Sequence, residues 1–93
     1  MEFEWDQSKN EHNVDKHRIS FQDAILVFND PGRLELDTTR PEYGEQRSKV
    51  IGNLGPFVIT VIFTTRGDRK RIISARRARK DERRAYDQGM ARR

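Results

Sequence analysis

Residues 57–79, FVITVIFTTRGDRKRIISARRAR, carry the pattern from which the fold is read. Phe57 to Phe63 is apolar at six of its seven positions and rich in β-branched side chains. A run this short and apolar predicts a strand buried on both faces, although a short buried helix has the same composition. Gly67-Asp68 interrupts it with turn chemistry, and Arg71 to Ala75 resumes as a second strand. The pair reads as a β-hairpin at the centre of a small sheet. Arg66, Arg69, Lys70, Arg71, Arg76, Arg77, Arg79 and Lys80 crowd its tip and its exit.

Upstream, Glu2-Phe3-Glu4-Trp5 alternates as a short edge strand, and Asp6 is placed to cap a helix over 7–17. Val14 is that helix's only aliphatic anchor. Asp6, Lys9, Asn13, Lys16 and His17 share one face, a stripe that suits either a ligand-facing surface or a solvated side. Ser20 caps a second helix whose stripe is Phe21, Ala24, Ile25 and Phe28, and Asn29-Asp30-Pro31-Gly32 stops it. A half-exposed strand follows at 33–37, then a loop over 38–44. A strand at 46–54 is weakened by Gly52 and turned by Gly55-Pro56. Beyond Ala78 comes a last helix with a thin apolar stripe, Ala78, Ala85, Tyr86 and Met90, which leaves Tyr86 and Met90 poorly buried. The order β-α-α-β-β-β-β-α predicts an α+β sandwich of two layers with a mainly antiparallel sheet, one domain over 1–93.

The chain has 93 residues, 33% hydrophobic and 37% charged, so the core is thin and the surface strongly ionised. Without cysteine there are no disulfides, thiolate nucleophiles or cysteine-based zinc sites. His12 and His17 do not share a helical face, and no acidic set completes a metal shell around them. No apolar run reaches membrane-spanning length and no signal region opens the chain, which predicts a cytoplasmic protein that needs neither metal nor cofactor. Charge is segregated. Residues 1–31 carry three basic and seven acidic side chains, a net of −4, while residues 66–93 carry twelve and four, a net of +8. A basic third that begins on an ordered hairpin points to a polyanion, although a solvated surface or a loose basic tail has the same charge.

No phosphate-binding glycine loop or Ser/His/Asp arrangement stands out. Metal-free RNA cleavage needs neither, because the substrate's own 2′-hydroxyl attacks the adjacent phosphate. The protein then supplies a base, an acid and fixed positive charge on the transition state. Arginine suits the last role through its planar fork. Arg66, Arg71 and Arg76 are the candidates, expected to act through charge and not through folding. His17, Glu45 and Tyr86 are the candidate acid–base groups. Each has a plainer alternative: His17 as a structural histidine, Glu45 paired with Arg47, Tyr86 in the core. Lys9, Lys16, Arg69, Lys70, Arg77, Arg79 and Lys80 are candidate RNA contacts. A non-catalytic RNA- or DNA-binding module would use the same surface, as would a subunit that docks an acidic partner.

Phe3-x-Trp5-Asp6-x-x-Lys9-x-x-x-Asn13-x-x-Lys16-His17, then Ile19-x-Phe21-x-x-Ala24 and Phe28-x-Asp30, resembles the opening of the BrnT toxins. The resemblance continues through Gly44-Glu45-x-Arg47, Thr64-x-Arg66, Arg71-Ile72-Ile73-Ser74-Ala75-Arg76-x-Ala78 and Glu82-Arg83-x-x-Tyr86, in order along nearly the whole chain. It implies a RelE-like fold and a small ribonuclease that arrests translation as the toxin of a type II toxin–antitoxin system. It also implies a BrnA antitoxin, a ribbon-helix-helix protein, whose complex with the toxin binds operator DNA and represses their operon. Lys9, His17, Glu45, Arg66, Arg71, Arg76 and Tyr86 fall on matching positions.

Overall fold

A computed structural model describes residues 2–91. Strand β1 (Glu2–Trp5) leads into helix α1 (Gln7–His17), the short helix α2 (Phe21–Ala24) and a 3-10 turn, Ile25–Asn29. Strand β2 (Leu34–Asp37), a second 3-10 turn (Pro41–Tyr43), strands β3 (Ser48–Leu54), β4 (Phe57–Arg66) and β5 (Arg69–Arg77), and helix α3 (Lys80–Ala91) complete it. The strands form one sheet in the order β1-β5-β4-β3-β2, antiparallel from β2 to β5, with β1 added parallel to β5. This is the expected α+β architecture with the hairpin at its centre.

Local chemistry explains the helix boundaries. The Asp6 carboxylate accepts from the backbone N–H groups of Ser8 and Lys9, at 2.8 and 3.2 Å, and those bonds hold its pKa below the ordinary value. Ser20 caps α2 through the Asp23 N–H. The second helix tightens into a 3-10 turn from Ile25, and Gly52 explains how that turn reaches the sheet. A Cβ at Gly52 would stand 2.9 Å from Val27 Cβ and 3.3 Å from the Val27 carbonyl oxygen. Gly52 is the slot that seats Val27.

The main core lies between α1, α2, the first 3-10 turn and one face of the sheet. Phe21, Val27, Val50, Ile59, Val61, Phe63, Ile72 and Ala75 fill it, and Phe3, Trp5 and Phe28 pack at its margin. On the opposite face α3 crosses beside β3 and leaves the rest of that face open. Tyr86 corrects the expectation of a poorly buried side chain. It is 7% exposed, and its hydroxyl donates to Asp30 Oδ2 at 2.6 Å, so it docks α3 and offers no exposed patch. The matching expectation for Met90 concerns a side chain outside those described.

One irregularity sets which arginines share a face. Ile62 pairs with Ser74 and Phe63 with Ile72, so Ile73 is an extra residue in β5, a β-bulge. In a regular strand Arg71 and Arg76, five positions apart, would point to opposite faces. The bulge restores them to the same one.

Candidate active site

The face of the sheet that α3 covers only in part is where the basic residues of the hairpin gather. Arg71 lies opposite Thr64, Arg76 opposite Thr60, Lys49 opposite Ile62, and Arg66 opposite Arg69, all with the alternation that points away from the core. Each is held by a carboxylate. Glu45 receives Arg47 Nε at 3.1 Å and Arg66 Nη2 at 3.7 Å, Glu4 receives Arg71 Nη1 at 2.7 Å, and Glu2 receives Arg69 Nε at 3.1 Å.

The tightest cluster is centred on Glu82, in the first turn of α3 and only 3% exposed. Its Oε1 accepts from Arg76 Nη1 at 2.6 Å and from the Arg79 backbone N–H at 2.8 Å. Its Oε2 accepts from Arg76 Nη2 at 3.0 Å and from Lys49 Nζ at 2.9 Å. Burial alone would raise the Glu82 pKa; the bonds from Arg76, Arg79 and Lys49 overturn that and hold it well below the carboxylate range. Arg76 is therefore part of the fold as well as of the surface, which corrects the expectation that its removal would leave folding untouched. Arg66 is 57% exposed in its side chain and meets Glu45 only at 3.7 Å.

Two cavities open on either side of the β5 bulge and share Ile73 and Ser74 in their walls. One, of about 300 Å³, lies on the face that α3 covers in part and is walled by Arg40, Tyr43, Arg47, Lys49 and Arg76. The other, of about 550 Å³, lies against α1 and is walled by Lys9, His12, Lys16 and His17. The sequence pattern leaves the role of the α1 stripe open; the structure shows why it faces β5. Asn13, its buried member, donates from Nδ2 to the carbonyls of Ile19 (2.9 Å) and Ala75 (2.8 Å), and its Oδ1 accepts from the Ala75 N–H at 3.1 Å. Past the end of β1, this amide takes the hydrogen bonds that a further strand would make to Ala75. Lys9, Lys16 and His17 of the stripe line the cavity that results, while Asp6 is taken up by the helix cap. His17 is half-buried there. Burial first, then the positive charges of Lys16, Arg76 and His12, lower its pKa, so it is neutral at pH 7 and able to accept a proton.

The chain's residues 5–82 match the family model described as the ribonuclease toxin, BrnT, of the type II toxin–antitoxin system. The chain belongs to the BrnT family. A BrnT chain is thus a ribonuclease toxin, which implies an RNA substrate and an antitoxin partner. No curated protein matches the sequence. Among the described residues no helix is long and apolar enough to cross a membrane.

Against this identity the candidate residues separate. Lys9, Lys16 and His17 line one cavity and Arg76 the other. Glu45, Arg66, Arg71 and Arg69 lie on the same face in the ion pairs given above. Lys70 points to the helix side, its ammonium 4.7 Å from the Phe63 ring centroid, and Arg77 lies 3.9 Å from the Phe57 centroid on that side too. Neither faces the cavities. Arg79 and Lys80 are exposed at the start of α3. Tyr86 is a packing residue beneath that helix. Residue-by-residue reading missed Lys49, Arg40, Arg47 and Tyr43 as wall residues. Their signal was weak, since each stands in or beside a loop with unremarkable composition.

Proposed function

We propose that this BrnT chain is a metal-independent endoribonuclease that cuts RNA where the two cavities meet at Ile73–Ser74. The observation that carries this reading is the placement of a neutral histidine on one side of the bulge and fixed cations on the other. His17 accepts the proton of the substrate 2′-hydroxyl, whose oxygen attacks the adjacent phosphorus. Arg76 and Lys49, held by Glu82, stabilise the charge that builds on the equatorial oxygens. The 5′-oxygen leaves and takes a proton from water, giving a 2′,3′-cyclic phosphate and a 5′-hydroxyl, and His17 returns its proton to solvent. Lys9 and Lys16, which make no ion pair among the described residues, bind flanking phosphates along α1. Glu45 holds Arg47 and Arg66 beside the track, and Arg71 extends it up the hairpin. Cutting RNA in this way inhibits translation in the cytoplasm. A BrnA-type ribbon-helix-helix antitoxin neutralises the single toxin domain, and the complex represses its own operon.

Cleavage of a short RNA in excess chelator tests the mechanism. Activity persists, the upstream product ends in a cyclic phosphate, and a 2′-deoxy residue at the scissile position abolishes cutting. Loss of activity in EDTA with recovery on added magnesium would overturn it. Arg76→Lys keeps one charge for Glu82 but loses the bidentate fork, and should lower cleavage by about 10²–10³-fold, the range for removing a preorganised donor. For the antitoxin, association that slows as ionic strength rises supports capture of the basic face, and a rate insensitive to salt counts against it.

A further inference from the structure

Tyr43 is the one aromatic side chain, among the described residues, in the walls of the cavity on the face shared with α3. Phe3, Trp5, Phe21, Phe28 and Phe63 belong to the core layer on the other side, and Phe57 packs with Arg77 there. Tyr86 is committed to Asp30. Tyr43 instead stands partly exposed at the end of the second 3-10 turn, in a wall that also holds Arg40, Arg47, Lys49 and Arg76.

The surrounding loop holds it in place. Thr38 N–H donates to the Arg47 carbonyl at 2.9 Å and Arg47 N–H donates to Thr39 Oγ1 at 3.0 Å, closing the loop at its base. The turn itself is closed by Tyr43 N–H to the Arg40 carbonyl and ended by Gly44, whose φ of +67° suits glycine. The Arg47 guanidinium carbon lies 4.1 Å from the Tyr43 ring centroid, and its Nε is bound to Glu45. One side of the ring is thus covered by a fixed cation, and Tyr43 and Arg47 both line the cavity. Arg40, which makes no ion pair among the described residues, stands three residues away in the same wall.

A planar ring backed by a guanidinium, beside unpaired positive charge, is how proteins hold an unstacked base and its phosphate. We propose that Tyr43 and Arg47 form a base-stacking subsite that takes one nucleobase of single-stranded RNA next to the scissile phosphate. Tyr43 is then a specificity-determining residue, because the base it holds fixes which phosphate reaches the bulge. This rests on the cleavage reading above.

Binding and cutting are measured separately, so that the two readings fail separately. Fluorescence anisotropy with an uncleavable 2′-deoxy oligonucleotide, scanned with a single abasic residue, reports the stack alone. In the wild-type chain one abasic position weakens binding about five- to 150-fold, the range for losing one base–aromatic stack. Tyr43→Ala weakens binding of the intact strand by a similar factor and is nearly indifferent to that abasic position. Tyr43→Phe behaves as wild type. Tyr43→Leu, which keeps apolar bulk in the loop, behaves as the alanine variant while melting as wild type. In cleavage assays the preference at that position flattens in Tyr43→Ala. An abasic penalty that is the same in wild type and Tyr43→Ala at every position would overturn the subsite. Failure of the wild-type chain to cut would overturn the cleavage reading and leave the binding result standing.

Discussion

Replacing Glu82 with alanine removes the acceptor of four hydrogen bonds and leaves two cations facing each other. Arg76 and Lys49 keep only 20% and 23% of their side-chain surface in solvent, so water replaces little of what is lost. Breaking one partner out of a buried ion pair costs about 3–5 kcal/mol. For a domain of this size each kcal/mol moves the melting temperature by about 4–8 °C, so the variant should melt at least about 12 °C lower. Glu82→Gln, which keeps the shape and some acceptors, should lose less. The effect must also depend on pH with a definite sign. The folded-state pKa is depressed, so the stabilisation is fully present above the unfolded value of about 4.3 and fades as pH falls below it. Thermal melts of wild type and Glu82→Ala from pH 3 to 8 therefore run parallel above about pH 6 and converge below about pH 4. A difference under about 2 °C at neutral pH, or one that persists unchanged at pH 3, refutes the clamp as a source of stability.

Gly52→Ala would press a methyl group against Val27, and overpacking of this kind costs about 1–3 kcal/mol, visible as a lower urea midpoint with an unchanged slope. Asn13→Ala leaves the N–H and carbonyl of Ala75 and the carbonyl of Ile19 without that partner. At about 1–3 kcal/mol for a buried group left unmade, it should destabilise the chain clearly in the same titration, and Asn13→Leu should not rescue it. His17 must be neutral to act as a base and its pKa is lowered, so cleavage should hold steady above pH 6.5 and fall only as pH drops through a value below it. Arg76→Lys keeps that acid limb, while any residual activity of His17→Ala lacks it; the same limb in both variants would remove His17 from the chemistry.

Much of the architecture was legible because its causes are local. Asp6 and Ser20 mark helix starts through bonds made within three residues, and the Phe57–Ala75 pattern announces a hairpin whose strands are joined by a two-residue turn. The basic third and the family motifs likewise stand in the linear chain. The helix of residues 7–17 was readable to its ends, yet the meaning of its polar stripe was not. Asn13 is buried because Ala75, 62 residues away, lacks a strand neighbour on the side where β1 has ended, and no local pattern records that.

The grouping of the site was decided only by the tertiary structure. Composition placed Arg71 and Arg76 on one hairpin, but the bulge at Ile73 chose their common face, and a single extra residue in a strand has no signature in hydropathy. Glu82 reads as one more charge on an ionised helix until α3 crosses the sheet and sets it between Lys49 and Arg76. Tyr86 reads as exposed on a thin stripe until Asp30 arrives from the end of the first 3-10 turn. Sequence by itself determined the elements, their order and the sign of the surface, since propensity, capping and charge act over a few residues. Which of those charges meet, and which are neutralised, depends on contacts made across the fold.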